Sequence, residues 1–473
     1  MPSQRNLFYG RLPARTPRKD GDNPFVPDRR FQGADPAEID IRFSNTTATQ
    51  FGGYPLLARY LKSVGFNKEL ARHVKMPRGP LAFTAPELSR FLVDAKLLGA
   101  DRLMHVERYR LDPMLTTTAG IDGLPSGKTL GVYLKQFEPN HLAGLERLCT
   151  KLLRQEWRRH FAHRDDVPVI LDYDSSTMTV YGKQEGADRG RSFRKKDKPG
   201  FQPKFSFVGG LGLMVHQRLE PQSKNLNQDF WSFHQKTLEK LPETARVWAI
   251  RGDGALYDHK LVYRFEEQGY TYGISAQQNV PLCEAIAAIP EEDWLEGDDE
   301  RGRPYSIARL RYCPKTWDSK LRTFVVSRRL KKDAKQKRLI PGEEYKYFAY
   351  VTNFKGPLFS QYAFCVERCS LESFIKEAKA AFDWEFLPCA ELSANQAYLL
   401  HVQLAYNSAI FFKLLGAPNG INRWTMETFR ARILCVCGNL RRRAGRWVLS
   451  LPAWWPYQTV FRQLMRRCAD ALA

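Results

Sequence analysis

No stretch of 18 or more apolar residues occurs in the 473-residue sequence, so an ordinary membrane-spanning helix is excluded. The opening MPSQRNLFYGRLPARTPRKDG has no apolar segment of the kind a secretory signal needs, and a cytoplasmic, bacterial protein is expected. Cysteine is sparse and scattered. The nine cysteines run singly from Cys149 to Cys468, and the closest pairs, Cys435/Cys437 and Cys365/Cys369, match no CxxC spacing and no histidine cluster. That spacing argues against structural zinc and leaves reduced, mostly buried thiols. Acidic residues are also short. Asp and Glu number 51 against 73 Lys and Arg, a net charge of +22 and a pI near 9.6. A clustered imbalance of this size points to a polyanionic partner, because phosphate neutralisation supplies most nucleic-acid affinity.

The length exceeds one ordinary core, and roughly two to four domains are expected. Residues 1–45, rich in Arg, Pro, Asp and Gly, read as a basic irregular arm. Residues 46–160 read as helices. YPLLARYLKSVGF (54–66) has helical spacing, TAPELSRFLVDAKLLGA (84–100) has Thr84 and Glu87 spaced as a capping box with Gly99 as its stop, and 141–161 is a longer amphipathic helix. A basic-faced set of this kind suits a helical DNA-binding domain or a plain bundle. From 167 the pattern changes to strands: VPVILDYDSS, two runs around Gly209–Gly210, RVWAIRGD (246–253) and TYGISA (271–276), with helices at 229–241 and 257–270. This order is that of an RNase H-like core, first part 161–284. Residues 285–355 read as a β-rich insertion, 356–415 as the second part of the core, and 416–473 as a basic segment with ten Arg against one Glu and one Asp in 421–473, its one or two helices having NLRRRAGRWVL (439–449) between them.

Three distant stretches each offer an acid. VILDYDSST (169–177) ends an apolar run with Asp172 and Asp174, RVWAIRGDGALY (246–257) ends another with Asp253, and RCSLESFIKEAK (368–379) carries Glu372 on a helical pattern. Carboxylates at strand ends plus one on a helix suit Mg²⁺, which prefers hard oxygen ligands and leaves positions for water and phosphate. Two such ions about 4 Å apart activate an attacking oxygen and stabilise a leaving one. Alternation along the strand puts Asp172 and Asp174 on the same face, so facing alone does not choose between them. Glu377 lies about 140° around the helix from Glu372, so only one of them can face the sheet.

These segments together resemble a DDE transposase of a bacterial insertion sequence, the cut-and-paste kind with strands inserted in an RNase H-like domain. LDYDSST and YGKQEGA resemble its first-Asp segment, RVWAIRGDG its second, YVTN (350–353) the strand that closes the insertion, and Arg368, Glu372 and Lys379 repeat its Arg–Glu–Lys spacing. The helical part, GGYPLLARYL and GADRLMHVERYRLDP, is similar too, and the likeness spans most of residues 50–460. One position departs: Cys365 stands where the signature has Tyr, with Tyr362 one turn earlier.

The resemblance implies Asp174, Asp253 and Glu372 as catalytic ligands of two Mg²⁺ ions (Mn²⁺ substituting), with Asp174 preferred over Asp172 by its place before Ser-Ser-Thr. It implies Arg368 and Lys379 as phosphate contacts beside the scissile bond. Three basic runs are expected to track DNA: Arg328, Arg329, Lys331 and Lys332 with the charges that follow them; Arg441, Arg442, Arg443 and Arg446; and Arg194, Lys195 and Lys196. Trp294 and Trp317, in the insertion, are the candidates for stacking a flipped base, although burial in the insertion's own core is the commoner fate of such residues. The acidic loop EEDWLEGDDE (291–300) reads as solvated or as a shield for the site. The expected partners are double-stranded DNA, as terminal inverted repeats and as target, and a second copy of the chain in a synaptic homodimer. The rivals are a domesticated transposase that only binds DNA and a nuclease of the same fold.

Overall fold

The computed structural model describes residues 47–76, 82–190, 198–299, 302–331, 344–416 and 420–470. The expected arm at 1–45 and the run Arg194, Lys195 and Lys196 lie outside the described residues, as does Lys332.

After a short strand, β1 (Ala48–Thr49), the first part is helical: α1 (Tyr54–Ser63), α2 (Phe66–His73), α3 (Ala85–Leu98), α4 (Pro113–Ala119), α5 (Gly127–Leu134) and α6 (Pro139–His160). Helix α3 starts and stops where its sequence says. The Thr84 backbone N–H donates to the Glu87 carboxylate at 2.7 Å, and Gly99 ends the helix at φ 94°, a left-handed conformation that a side chain would strain. Helix α6 buries Leu145, Leu148, Leu152, Leu153 and Trp157, residues at helical spacing that form one face.

The centre is a mixed sheet. Its strands are β2 (Val167–Ser175), β5 (Lys204–Val208), β6 (Leu213–Arg218), β7 (Ala245–Gly252), β8 (Thr271–Ser275), β9 (Leu295–Asp298), β10 (Pro304–Tyr312), β11 (Arg322–Leu330) and β12 (Tyr345–Thr352). A two-stranded extension, β3 (Met178–Thr179) and β4 (Gly200–Phe201), lies between β2 and β5 in the chain. The nine strands stand in the order β6-β5-β2-β7-β8-β12-β11-β10-β9. β2, β7 and β8 run parallel and every other neighbouring pair antiparallel. The inserted strands therefore do not form a separate sheet. β12 pairs with β8 (Val351 opposite Ile274), so the insertion prolongs the central sheet. Helices α7 (Phe230–Lys240) and α8 (His259–Glu267) join the parallel strands, and α9 (Val280–Ala287) follows β8.

After β12 come α10 (Leu358–Val366), α11 (Cys369–Phe382) and the 25-residue α12 (Leu392–Gly416). Helix α12 is buried nearly all round and joins the helical part to the sheet. His401 shares a hydrogen bond with Ser89 of α3 at 2.8 Å. On the sheet side it serves the edge strand β6. The Asn407 side chain accepts from the Met214 N–H at 3.0 Å and donates to its C=O at 2.8 Å, and Gln403 donates to the same carbonyl at 3.1 Å. An uncovered edge would leave main-chain groups without partners, and these amides supply them.

In the C-terminal segment the stretch NLRRRAGRWVL, expected between helices, is a pair of strands. A short helix, α13 (Met426–Phe429), is followed by β13 (Gly438–Arg443), β14 (Arg446–Ser450) and then α14 (Gln458–Asp470). β13 pairs with both β14 and β1, forming a three-stranded sheet of its own. Ala444-Gly445 between two alternating runs is a hairpin turn that the Arg-rich composition masked.

Candidate active site

The parallel pairing of β2 and β7 brings two acids side by side. Tyr173 is in register with Gly252, so Asp174 and Asp253, the next residue in each strand's direction, stand at adjoining carboxyl ends. Ligand groups gather at such ends in open α/β sheets. Asp253 also caps a following 3₁₀ turn, its carboxylate accepting from the Ala255 N–H at 3.0 Å.

Asp172 has a different fate. It lies in register with Arg251 on the neighbouring strand, and its two oxygens take the guanidinium Nε and Nη2 at 2.6 and 2.9 Å. Both side chains are buried, 0% and 1% exposed. A third N–H of Arg251 donates to the Phe364 carbonyl at 2.9 Å, which ties α10 to the sheet. Room for this pair comes from Gly209, where a Cβ would stand 2.8 Å from Asp172 and 2.9 Å from Arg251. A carboxylate held in this way has little capacity left for a metal ion. The neighbouring strand thus occupies both oxygens of Asp172.

Helix α11 delivers the third acid. Leu371, Ile375, Ala378 and Phe382 bury one face, and Phe374 packs beside Phe207 of β5. That orientation leaves Glu372 exposed in the first turn, where a negative charge is favoured by the helix dipole. Glu377 instead accepts from the Met426 N–H at 2.9 Å and from Lys413 at 3.2 Å, fastening α11 to α12 and α13. Arg368, at the start of α11, is buried. Its Nη2 reaches Asp174 at 3.3 Å and its Nε has no partner among the described residues. Lys379 pairs with Glu385. In this structure Arg368 faces Asp174 and Lys379 a surface carboxylate.

The electrostatics join the set. Burial, and then the neighbouring Asp253, push the Asp174 carboxyl up to about 7; Arg368 opposes this and Glu372 adds to it. Among the described residues, no three Asp, Glu, His or Cys side chains are assembled to hold a metal ion. The acids are near enough to repel but have not closed on a common centre. Their donor chemistry, carboxylate oxygens alone, and a negative charge that Arg368 offsets only in part both fit a hard divalent cation.

Other expected residues are spread more widely. Arg328 and Arg329 are turned inward. Arg328 holds Glu291 with both terminal nitrogens, one at 2.8 Å, and lies 4.4 Å over the Trp294 ring. Arg329 pairs with Asp299 at 3.1 Å. The acidic loop therefore neutralises this basic run. Lys331 alone of the described members is exposed. Trp294 is 8% exposed, under that guanidinium, and Trp317 packs at 5.0 Å on Tyr257. Tyr362 is buried beside Tyr305 at 5.0 Å, and Cys365 lies in a small core with Ile170, Ala249 and Phe364, where burial raises its thiol to about 12. Arg441, Arg442, Arg443 and Arg446 are all exposed. The Asp172–Arg251 pair was missed by sequence reasoning. Its only signal was a charged residue inside each of two apolar strand runs.

Strand-end acids, a helix bringing a third and an arginine beside them define an acid cluster suited to phosphoryl transfer. The chain matches the model of the transposase DDE domain family, group 1, over residues 31–472, and belongs to that family. DDE transposases act on nucleic acid by phosphoryl transfer and generally use divalent metal ions. No curated protein matches the chain. Among solved structures, a piggyBac transposase synaptic complex with hairpin DNA is similar at 9% identity, with 89% of this chain and 83% of that one covered and a TM-score of 0.40. A likeness that distant transfers neither fold nor chemistry. No helix among the described residues is long and apolar enough to cross a membrane.

Proposed function

We propose that the protein is a DNA transposase that binds the terminal inverted repeats of its element, as a homodimer, and cuts and joins strands at Asp174, Asp253 and Glu372. The observation that carries this is the meeting of Asp174 and Asp253 at adjoining ends of parallel strands, with Arg368 and the first turn of α11 against them, in a chain of the DDE family. The strand order β6-β5-β2-β7-β8, with three antiparallel strands leading into two parallel ones, supports an RNase H-like core.

Asp174, Asp253 and Glu372 would hold Mg²⁺. Bound there, a pair of ions supplies Lewis acidity at the attacking and leaving oxygens. The chain's own part is to position and to neutralise. Asp174 supplies a carboxylate whose like-charged neighbours make it receptive to a cation. Arg368, with one buried nitrogen unpartnered, can exchange Asp174 for a DNA phosphate once other charge occupies the acids. Lys379, on the same helix as Glu372, is a further candidate for phosphate contact. Water attacks one strand and frees a 3′-OH, that hydroxyl attacks the opposite strand to form a hairpin end, water reopens the hairpin to restore the 3′-OH, and the 3′-OH attacks target DNA, with a DNA 3′-oxygen leaving at each displacement.

The test is cleavage of a duplex carrying the inverted repeats that flank the coding region, in Mg²⁺, by wild type and Asp253→Ala. Loss of cleavage with retained DNA binding is expected. Cleavage surviving in the variant would overturn the assignment, and cleavage without strand joining would make the protein a nuclease.

A further inference from the structure

The β13–β14 hairpin extends beyond its support. β1 pairs with Gly438 and Asn439 and the Thr47 carbonyl accepts from the Leu440 N–H, and from Arg441 to Val448 neither edge of the ribbon is paired by a further strand among the described residues. Every residue from 441 to 448 is exposed, including Trp447 at 53%. The loop is a two-residue turn with φ positive at both Ala444 (45°) and Gly445 (75°), which keeps the tip narrow.

The charges on this ribbon are unmatched. Segment 438–450 holds four Arg and no acid, and none of the four makes an ion pair or side-chain hydrogen bond with a described residue. Arg443 lies directly opposite Arg446 across the ribbon, a pairing of like charges that is unfavourable by itself. Alternation divides the ribbon into two faces. One carries Leu440 and Leu449, which anchor it to the body, and then Arg442 and Trp447. The other carries Arg441, Arg443, Arg446 and Val448, and looks away from the anchor.

We propose that this ribbon is a DNA arm that lies in the major groove of the duplex, with Arg441, Arg443 and Arg446 toward the DNA. The proposal rests on the transposase reading and adds where and how duplex is gripped. The major groove, about 12 Å wide, admits a two-stranded ribbon. Phosphates lining it relieve the Arg443/Arg446 repulsion, which no group among the described residues relieves. The bland alternative is that the arginines only keep two open strand edges from aggregating.

The experiment measures binding of a mixed-sequence 30-bp duplex by fluorescence anisotropy in EDTA, from 50 to 200 mM salt. Full-length wild type is compared with Arg441→Ala/Arg443→Ala/Arg446→Ala and with the matching triple Lys variant. Each lost phosphate contact lowers the log–log salt slope by about 0.9, so the Ala variant should lose about 2.7 and its affinity should vary roughly 40-fold less over that range. The Lys variant should keep the slope. An unchanged slope in the Ala variant overturns the arm, whereas no salt-dependent binding by wild type overturns the transposase reading instead. If the Ala variant does not fold, dimethyl sulfate footprinting of wild type decides. Protection of guanine N7 supports a major-groove ribbon, and its absence refutes one.

Discussion

Replacing Asp172 and Asp174 in turn by Asn should separate structure from chemistry two residues apart. Asp172→Asn leaves the Arg251 guanidinium, 1% exposed, with a neutral neighbour. Its remaining help is the Phe364 carbonyl at 2.9 Å and Glu367 at 3.5 Å. Removing one partner of a buried ion pair costs about 3–5 kcal/mol, because the other charge stays desolvated and uncompensated. Glu367 is partly exposed and will offset some of this, so the lower end is expected. About 3 kcal/mol is roughly a hundredfold in an equilibrium constant. A chain this long need not unfold in one step, so the assay is hydrogen exchange of β2 and β7 amides, where protection should fall roughly a hundredfold. Asp174→Asn should do the opposite: it removes a carboxylate crowded by Asp253 and Glu372, so β2 protection should hold or rise while cleavage is lost. If Asp172→Asn is as protected as wild type, or if Asp174→Asn still cuts, the division of roles is wrong.

Acid should compete with the metal at Asp174. Its carboxyl, raised from the ordinary 3.8 to about 7, holds a proton in the folded metal-free protein that the unfolded chain has released, so its contribution to stability is present below about pH 4 and lost as pH rises through about 7. The melting temperature of metal-free Asp174→Asn should therefore gain on wild type between those values, and the Mg²⁺ needed for half-maximal cleavage should rise below pH 7; flat profiles in both would refute the coupling. Asn407→Leu removes two hydrogen bonds from the Met214 main chain, and a buried group left unsatisfied costs about 1–3 kcal/mol. Exchange at β6 should speed accordingly, with metal-dependent chemistry intact in whatever fraction is folded.

Much of the architecture was legible because its signals are local. The capping box at Thr84–Glu87 and the stop at Gly99 bound α3, and apolar runs of strand length mark β2 and β7. In the C-terminal segment the stretch between helices was legible as a connection but not as a hairpin, because the positive φ of Ala444 and Gly445 is a property of the folded turn. Arg328 and Arg329 looked like a DNA-tracking run because sequence cannot show that Glu291 and Asp299 come back to meet them.

The candidate acids show the same division. Sequence by itself determined the charge balance, the alternation that ends two strands in Asp174 and Asp253, and the helical spacing that carries Glu372, since each depends on neighbours within a few residues. Tertiary structure alone decided that Asp172 is locked to Arg251, 79 residues away in the chain and hydrogen-bonded across a parallel pair, while Asp174 meets Arg368. It also decided which of Glu372 and Glu377 is exposed, because Lys413 and the Met426 N–H occupy only one of them. Carboxylates are chemically alike; their roles here are set by the cations and dipoles that long-range packing brings within about 3 Å.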